Sequence, residues 1–249
     1  FYYSAYDAPE KGKETSAKNA VQKIYYHRIG TPQSDDRLFY QNPSQPLRFY
    51  EVSVNKEETV MYLTEAGMDN GNNLYVRDMT QPDAQFIQMC SDPQYIYTPV
   101  ETVGNRMYIL TNAGAPKYRL MVADVSNPGY ADWKELVGEG ESVLEDVTFT
   151  ADNRMILQCA KDNCNQLYVY DTDGNRLSEI ELPTFGTTSV SGARGQKELF
   201  YSFTSYTTPG AIYSYDMATA KSTLLSTPKL AFRTQDYVTE MLFYTSKDG

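Results

Sequence analysis

The sequence holds a single histidine, His27, and three cysteines in 249 residues. One imidazole excludes zinc sites built on two or more of them, and no C-x-x-C pair stands in. It also leaves a nucleophile–base pair only one candidate base, inside the strand-like run IYYHR with no partner motif beside it. No G-x-S-x-G elbow occurs. Gly12-Lys13 runs into Glu14 and lacks the upstream glycine of a phosphate loop, so nucleotide binding has no support. No cofactor, no metal and no catalytic residue is therefore expected. Cys90, Cys159 and Cys164 are odd in number and at no ligand spacing, which reads as free thiols. A Cys159–Cys164 bridge is the alternative, with Cys164 placed in a turn and Cys159 at a strand end.

Basic charge is also scarce. Lys and Arg number 22 against 32 Asp and Glu, a net charge of −10 with a pI near 4.7. That balance argues against a surface that neutralises nucleic-acid phosphates or anionic lipid, so neither nucleic acid nor membrane is expected as a partner. No apolar run approaches the roughly 18 residues of a spanning helix, and no charged-then-apolar leader is visible. Phe1 is not an initiator methionine and begins inside a strand pattern, so the sequence reads as a piece of a longer chain. A soluble protein of the cytoplasm or periplasm would fit. Asn42-Pro43-Ser44 fails as a glycosylation site because proline fills its middle position. The acidic run Asp171-Thr172-Asp173-Gly174-Asn175 resembles half a calcium loop, but an Asp-Gly turn between strands accounts for it.

What the sequence does contain is a repeat. Residues 154–171 (RMILQCAKDNCNQLYVYD) restate 59–78 (TVMYLTEAGMDNGNNLYVRD) and 106–124 (RMYILTNAGAPKYRLMVAD), and are restated at 198–216 (ELFYSFTSYTTPGAIYSYD). Each copy closes on an aspartate, at 78, 124, 171 and 216, giving periods of 46, 47 and 45 residues. A fifth copy opens the chain as FYYSAY and IYYHR, with Arg28 in the aspartate slot. Periods of this size, made of short aromatic and β-branched runs without helical periodicity, predict an all-β fold: a β-propeller of about five four-stranded antiparallel blades. The 22 tyrosines and 10 phenylalanines suit packing between blades. With 41% apolar residues the chain can bury one core, so residues 1–249 are taken as a single, partial propeller domain.

The second copy predicts strands at 49–54, 60–65, 73–78 and 85–88. The third predicts 95–102, 106–112, 118–124 and 133–136; the fourth 144–150, 154–159, 166–171 and 177–181; the fifth 187–192, 198–202, 211–215 and 222–225. Three strands precede these blades, and 231–237 with 240–245 predict two strands of a further one. Strand 231–237 could pair with 1–6 to close a ring, although an open arc keeping the curvature of a wider parent is the favoured expectation.

Four segments in order resemble the propeller of the prolyl oligopeptidase family of serine peptidases: QKIYYHRIGTPQSDD (22–36), KYRLMVAD (117–124) with Asp132-Trp133-Lys134 beyond it, FYSFTSYTTPGAIYSYD (200–216) and DYVTEMLFYTSKDG (236–249). The resemblance implies the later five-sevenths or so of a seven-bladed cap. Its partner would be an α/β-hydrolase peptidase domain of the same polypeptide, absent from these residues. The cap would gate short proline-containing peptides without chemistry of its own. It further implies two substrate-facing positions, Phe49 on an innermost strand and Met68 in the turn after the next strand. A family member carries an arginine three residues before the Met68 slot, where this chain has Glu65, so that contact is expected to be lost or made elsewhere. A stand-alone propeller that binds protein or glycan is the competing reading, and would call for a ligand-binding constellation repeated in each blade.

Overall fold

The structure is a computed structural model and describes residues 1–248, without the side chains of Ala151 and Gln235. Every sheet is an antiparallel meander with its strands in chain order. The first holds β1 (Tyr2–Ala5), β2 (Lys23–Tyr26) and β3 (Arg37–Gln41). The second holds β4 (Phe49–Val54), β5 (Val60–Ala66), β6 (Asn72–Asp78) and β7 (Ile87–Cys90). The third holds β8 (Tyr97–Val103), β9 (Arg106–Thr111), β10 (Arg119–Asp124) and β11 (Lys134–Val137). The fourth holds β12 (Val143–Phe149), β13 (Met155–Lys161), β14 (Cys164–Tyr170) and β15 (Arg176–Ile180). The fifth holds β16 (Thr187–Ser191), β17 (Glu198–Thr204), β18 (Ala211–Asp216) and β19 (Lys221–Ser226). Five blades are thus present, the first with three strands.

The chain divides into two compact units, Phe1–Gly114 with Leu120–Glu135, and Ala115–Arg119 with Leu136 onward. In the first, Val60, Tyr62, Leu74, Met107, Ile109 and Trp133 belong to one buried cluster. The Tyr62 and Thr102 hydroxyls, 2.5 Å apart, satisfy each other inside it, and Trp133 donates from Nε1 to the Pro128 carbonyl at 2.8 Å. In the second, Ile156, Leu167, Leu199, Tyr201 and Phe203 form the corresponding core. Second strands such as β5 and β9 are covered on both faces, which is why they read as unbroken apolar runs rather than alternating ones.

The closing aspartates have a local physical role. Each accepts hydrogen bonds from the turn that follows it: Asp78 from the Thr80 amide (2.8 Å), Asp124 from Ser126 (2.7 Å), Asp171 from Asp173 and Asn175 (3.0 and 2.8 Å), and Asp216 from Ala218 (2.8 Å). A carboxylate that holds amide protons ends one strand and starts the reversal to the next. The Asp171 carboxylate is thus committed to its own turn, completed by Gly174 at φ +85°.

A second position recurs six residues before each closing slot. Gln22, Asn72 and Asn165 stand there in the first, second and fourth copies, and each reaches the innermost strand of the following blade. The Tyr50 amide donates to Gln22 Oε1 (2.5 Å) and the Thr188 amide to Asn165 Oδ1 (2.7 Å). Asn72 makes a two-way clamp, accepting from the Tyr97 amide (2.9 Å) and donating to the Tyr97 carbonyl (3.0 Å). The preceding Gly71 lies so close to the Tyr95 carbonyl that a Cβ there would overlap it. Tyr118 and Gly210 fill the slot in the other copies, both with left-handed backbone (φ +66° and +67°).

Two expectations are overturned. Residues 231–237 and 240–245 form no strands; the segment carries one short 3-10 turn, Thr234–Asp236, and is otherwise irregular. Its Val238, Leu242, Phe243 and Tyr244 are 75–89% exposed. Side-chain alternation describes a strand only when a neighbouring strand supplies hydrogen bonds, and this segment has none. The pairing of 231–237 with β1 therefore has no strand to make it from. Cys164 opens β14 instead of lying in a turn, because the reversal before it is the two-residue Asp162-Asn163 hairpin, both at positive φ (53° and 59°). Cys164 pairs across with Lys161 and Cys159 with Gln166, so the two thiols do not face one another, and all three cysteines are free.

Candidate functional site

Phe49 is the first residue of β4, and Met68 lies in the turn after β5. The register pairs Phe49 with Ala66, two residues before Met68, so the hairpin brings both apolar side chains to one end of the second blade. Neither is consumed by packing, Phe49 being 48% and Met68 92% exposed. The covered half of Phe49 borders a cavity of about 420 Å³ walled by Tyr2, Tyr3, Ile24 and Thr64. An apolar side chain left this open gains little from folding, so its free energy is available to a ligand.

Between them stands a charged group that the sequence reading missed. Arg48, the residue before Phe49, places Nη1 2.5 Å from Asp69 Oδ2 and Nε 3.7 Å from Glu65 Oε1. Glu65, its side chain only 7% exposed, also accepts from Tyr75 Oη (3.3 Å) and Asn73 Nδ2 (3.4 Å). Burial, with the Glu65 charge adding to it, pushes the Tyr75 hydroxyl up to about 12. A buried carboxylate needs such partners. A guanidinium thus occupies this end of the blade, supplied by the residue that leads into β4, whose Tyr50 pairs with Glu65. Gly67 permits the approach, since a Cβ there would collide with Arg48. The available signal was the exchange of charge between neighbouring strands, which one sequence shows only after register is known.

His27 has the partner that the sequence reading denied it. Its Nδ1 lies 2.6 Å from Asp36 Oδ1, and Tyr3 Oη donates to Asp36 Oδ2 at 2.6 Å. The Asp36 side chain is 3% exposed and that of His27 18%. The Tyr3 hydrogen bond, then that of His27, holds the Asp36 carboxyl below its ordinary range. The remainder of the run is tied locally, the Thr31 hydroxyl donating to the Arg28 carbonyl at 2.7 Å. The one hydroxyl that the described residues bring to this network is that of Tyr3, which donates to Asp36, so IYYHRIGTPQSDD ties the first blade together by packing and hydrogen bonding.

Comparison with known proteins places this geometry. Residues 1–228 match the family described as prolyl oligopeptidase, N-terminal beta-propeller domain. The chain is 33% identical over 250 residues to the prolyl endopeptidase of Elizabethkingia meningoseptica, covering all of this chain and 35% of that protein. It is 25% identical over 263 residues to prolyl oligopeptidase A of Galerina marginata, again with 35% of the relative covered. The chain thus spans about a third of the length of these curated relatives. Among solved structures, one from a study of two prolyl endopeptidases and their inter-domain dynamics superposes with a TM-score of 0.85 at 29% identity, over all of this chain and 35% of the other. Prolyl oligopeptidase B of Galerina marginata, bound to a 35mer hydrolysis and macrocyclization substrate, has a TM-score of 0.89 at 23% identity, with 100% and 35% covered, and speaks for the fold alone. Through the repeat, the blades and the match over residues 1–228, the chain belongs to the prolyl oligopeptidase family, as its N-terminal β-propeller domain.

Proposed function

We propose that this propeller is the non-catalytic cap of a prolyl oligopeptidase-like serine endopeptidase, working with an α/β-hydrolase peptidase domain of the same polypeptide. It limits access to proline-containing peptides that enter as unfolded chain. Such a cap selects by size: a folded protein cannot present a strand through a narrow opening, whereas a peptide can, and no chemistry is required of the propeller.

Phe49 and Met68 are the apolar part of a subsite distal to the proline pocket, with Arg48 between them. The observation that carries this reading is their shared exposure at one end of the β4–β5 hairpin, where a folded core has no use for them. In an enzyme carrying this propeller, Phe49→Ala and Met68→Ala are expected to lower kcat/KM five- to tenfold each, about 1 kcal/mol, on peptides long enough to reach the cap. A dipeptide chromogenic substrate should be unaffected. Equal losses on long and short substrates would assign both side chains to blade packing.

A further inference from the structure

A cavity of about 1090 Å³ in the first unit opens at the other end of β4 from Phe49. The first blade walls it with Tyr2, Tyr26 and Phe39, and the second with the end of β4 and Arg77 of β6. Its charged lining is Arg37, Lys56, Arg77 and Glu58, an excess of positive charge in a chain whose net charge is −10. The two guanidinium groups lie over the aromatic walls, Arg37 Cζ at 5.3 Å from the Tyr26 ring centroid and Arg77 Cζ at 5.1 Å from that of Phe39. A guanidinium placed over a ring face is attracted to it and can still donate hydrogen bonds from its N–H groups.

That donor capacity is only partly used. Arg77 gives one hydrogen bond from Nη2 to the Pro82 carbonyl at 2.9 Å, and its buried Nε has no hydrogen-bond partner. Arg37 is exposed and forms no ion pair among the described residues. A buried donor left unmatched is costly unless something else meets it. Aromatic walls with a few oriented polar groups are what small-molecule sites are made of, and about 1090 Å³ is room enough for one.

We propose that the cavity binds a carboxylate carried on an apolar, preferably aromatic, body: the anion taken by Arg77 and Arg37, the body lodged between Tyr2, Tyr26 and Phe39. A monoanion fits better than a phosphate dianion, because Glu58 already offsets part of the positive lining. The site is independent of the Phe49 end and of the proposed cap function. Free aromatic acids and peptides with an open C-terminus share this chemistry.

The test is calorimetry on the 249-residue chain with N-acetyl-phenylalanine, its uncharged amide, and the tripeptide Ala-Ala-Phe with a free carboxylate. The acid is expected to bind about tenfold more tightly than the amide, as a charge-assisted guanidinium pair requires, and to weaken as salt rises. Arg37→Gln and Arg77→Gln should each remove most of that difference. If Arg77→Gln fails to fold, having lost its contacts to Phe39 and Pro82, the exposed Arg37→Gln carries the test alone. Tighter binding of the tripeptide would identify a peptide C-terminus as the source of the carboxylate, and tighter binding of the acetylated acid a free small molecule. Equal binding of acid and amide, no binding of either, or binding unchanged by Arg37→Gln would overturn the proposal.

Discussion

Asn72 shows how much a single amide can carry in this fold. It is 6% exposed and pairs with both backbone groups of Tyr97, on the innermost strand of the next blade. Asn72→Ala leaves a buried N–H and a buried C=O unmatched, at about 1–3 kcal/mol each, so a loss of about 3 kcal/mol is expected in denaturant unfolding. Asn165→Ala, which frees the Thr188 amide and an exposed Glu145 carboxylate that water can meet, should cost less. The thiols give a second prediction at this scale. Burial pushes Cys90 up to about 12 and Cys159 up to about 11, so at neutral pH little of either is the reactive thiolate. Labelling without reductant should count three thiols in denaturant and proceed slowly at Cys90 and Cys159 in the folded chain; a count of one would establish the 159–164 bridge instead.

At the scale of elements, the closing aspartates turn a sequence period into a pH dependence. The carboxyls of Asp78, Asp124, Asp171 and Asp216 all lie below the ordinary value of 3.8, through the hydrogen bonds of their turns: from Thr80, Ser126, Asn175 and Ala218 respectively. A folded carboxyl with a lowered value contributes stability above the unfolded value and loses it as pH falls through the folded one. Stability should therefore be level from neutral pH down to about 4 and decline below that. Asp171→Asn, which cannot ionise, should flatten part of the decline, and an unchanged acid limb would remove the turns as its cause. These elements were largely legible beforehand. β4 falls at the residues its FYEVSV alternation marks, because one face meets a neighbouring blade and the other does not. The segment after Ser226 was misread because alternation carries no information about whether a partner strand exists. The Gln22, Asn72 and Asn165 column was in plain view once the copies were aligned, but an amide in a turn has too many local uses for its reach to the next blade to be read from type alone. Arg48 and Glu65 needed the register before their pairing could be seen, while Phe49 and Met68 were found through resemblance, since an exposed Phe or Met has no spacing of its own.

At the scale of the whole chain, the repeat recurs as five sheets with buried apolar cores among the described residues. The one imidazole is held by Asp36, whose other oxygen takes the Tyr3 hydroxyl, so the network closes on itself without an activated nucleophile. The 249-residue chain is accordingly expected to release no product from a Gly-Pro chromogenic substrate. Turnover that survives repurification and yields to a serine-directed inhibitor would contradict this.

The interblade amides also set an order of assembly. Gln22 meets Tyr50, Asn72 meets Tyr97 and Asn165 meets Thr188 at sequence separations of 28, 25 and 23 residues, always from the earlier blade to the later. Contacts of such short range close cheap loops. A chain emerging from the ribosome would therefore complete one blade, with its amide already positioned, before the strand that amide captures has been made. Where such an amide stands, the finished blade becomes the template on which the next is laid, so synthesis and folding advance in the same direction at those three steps.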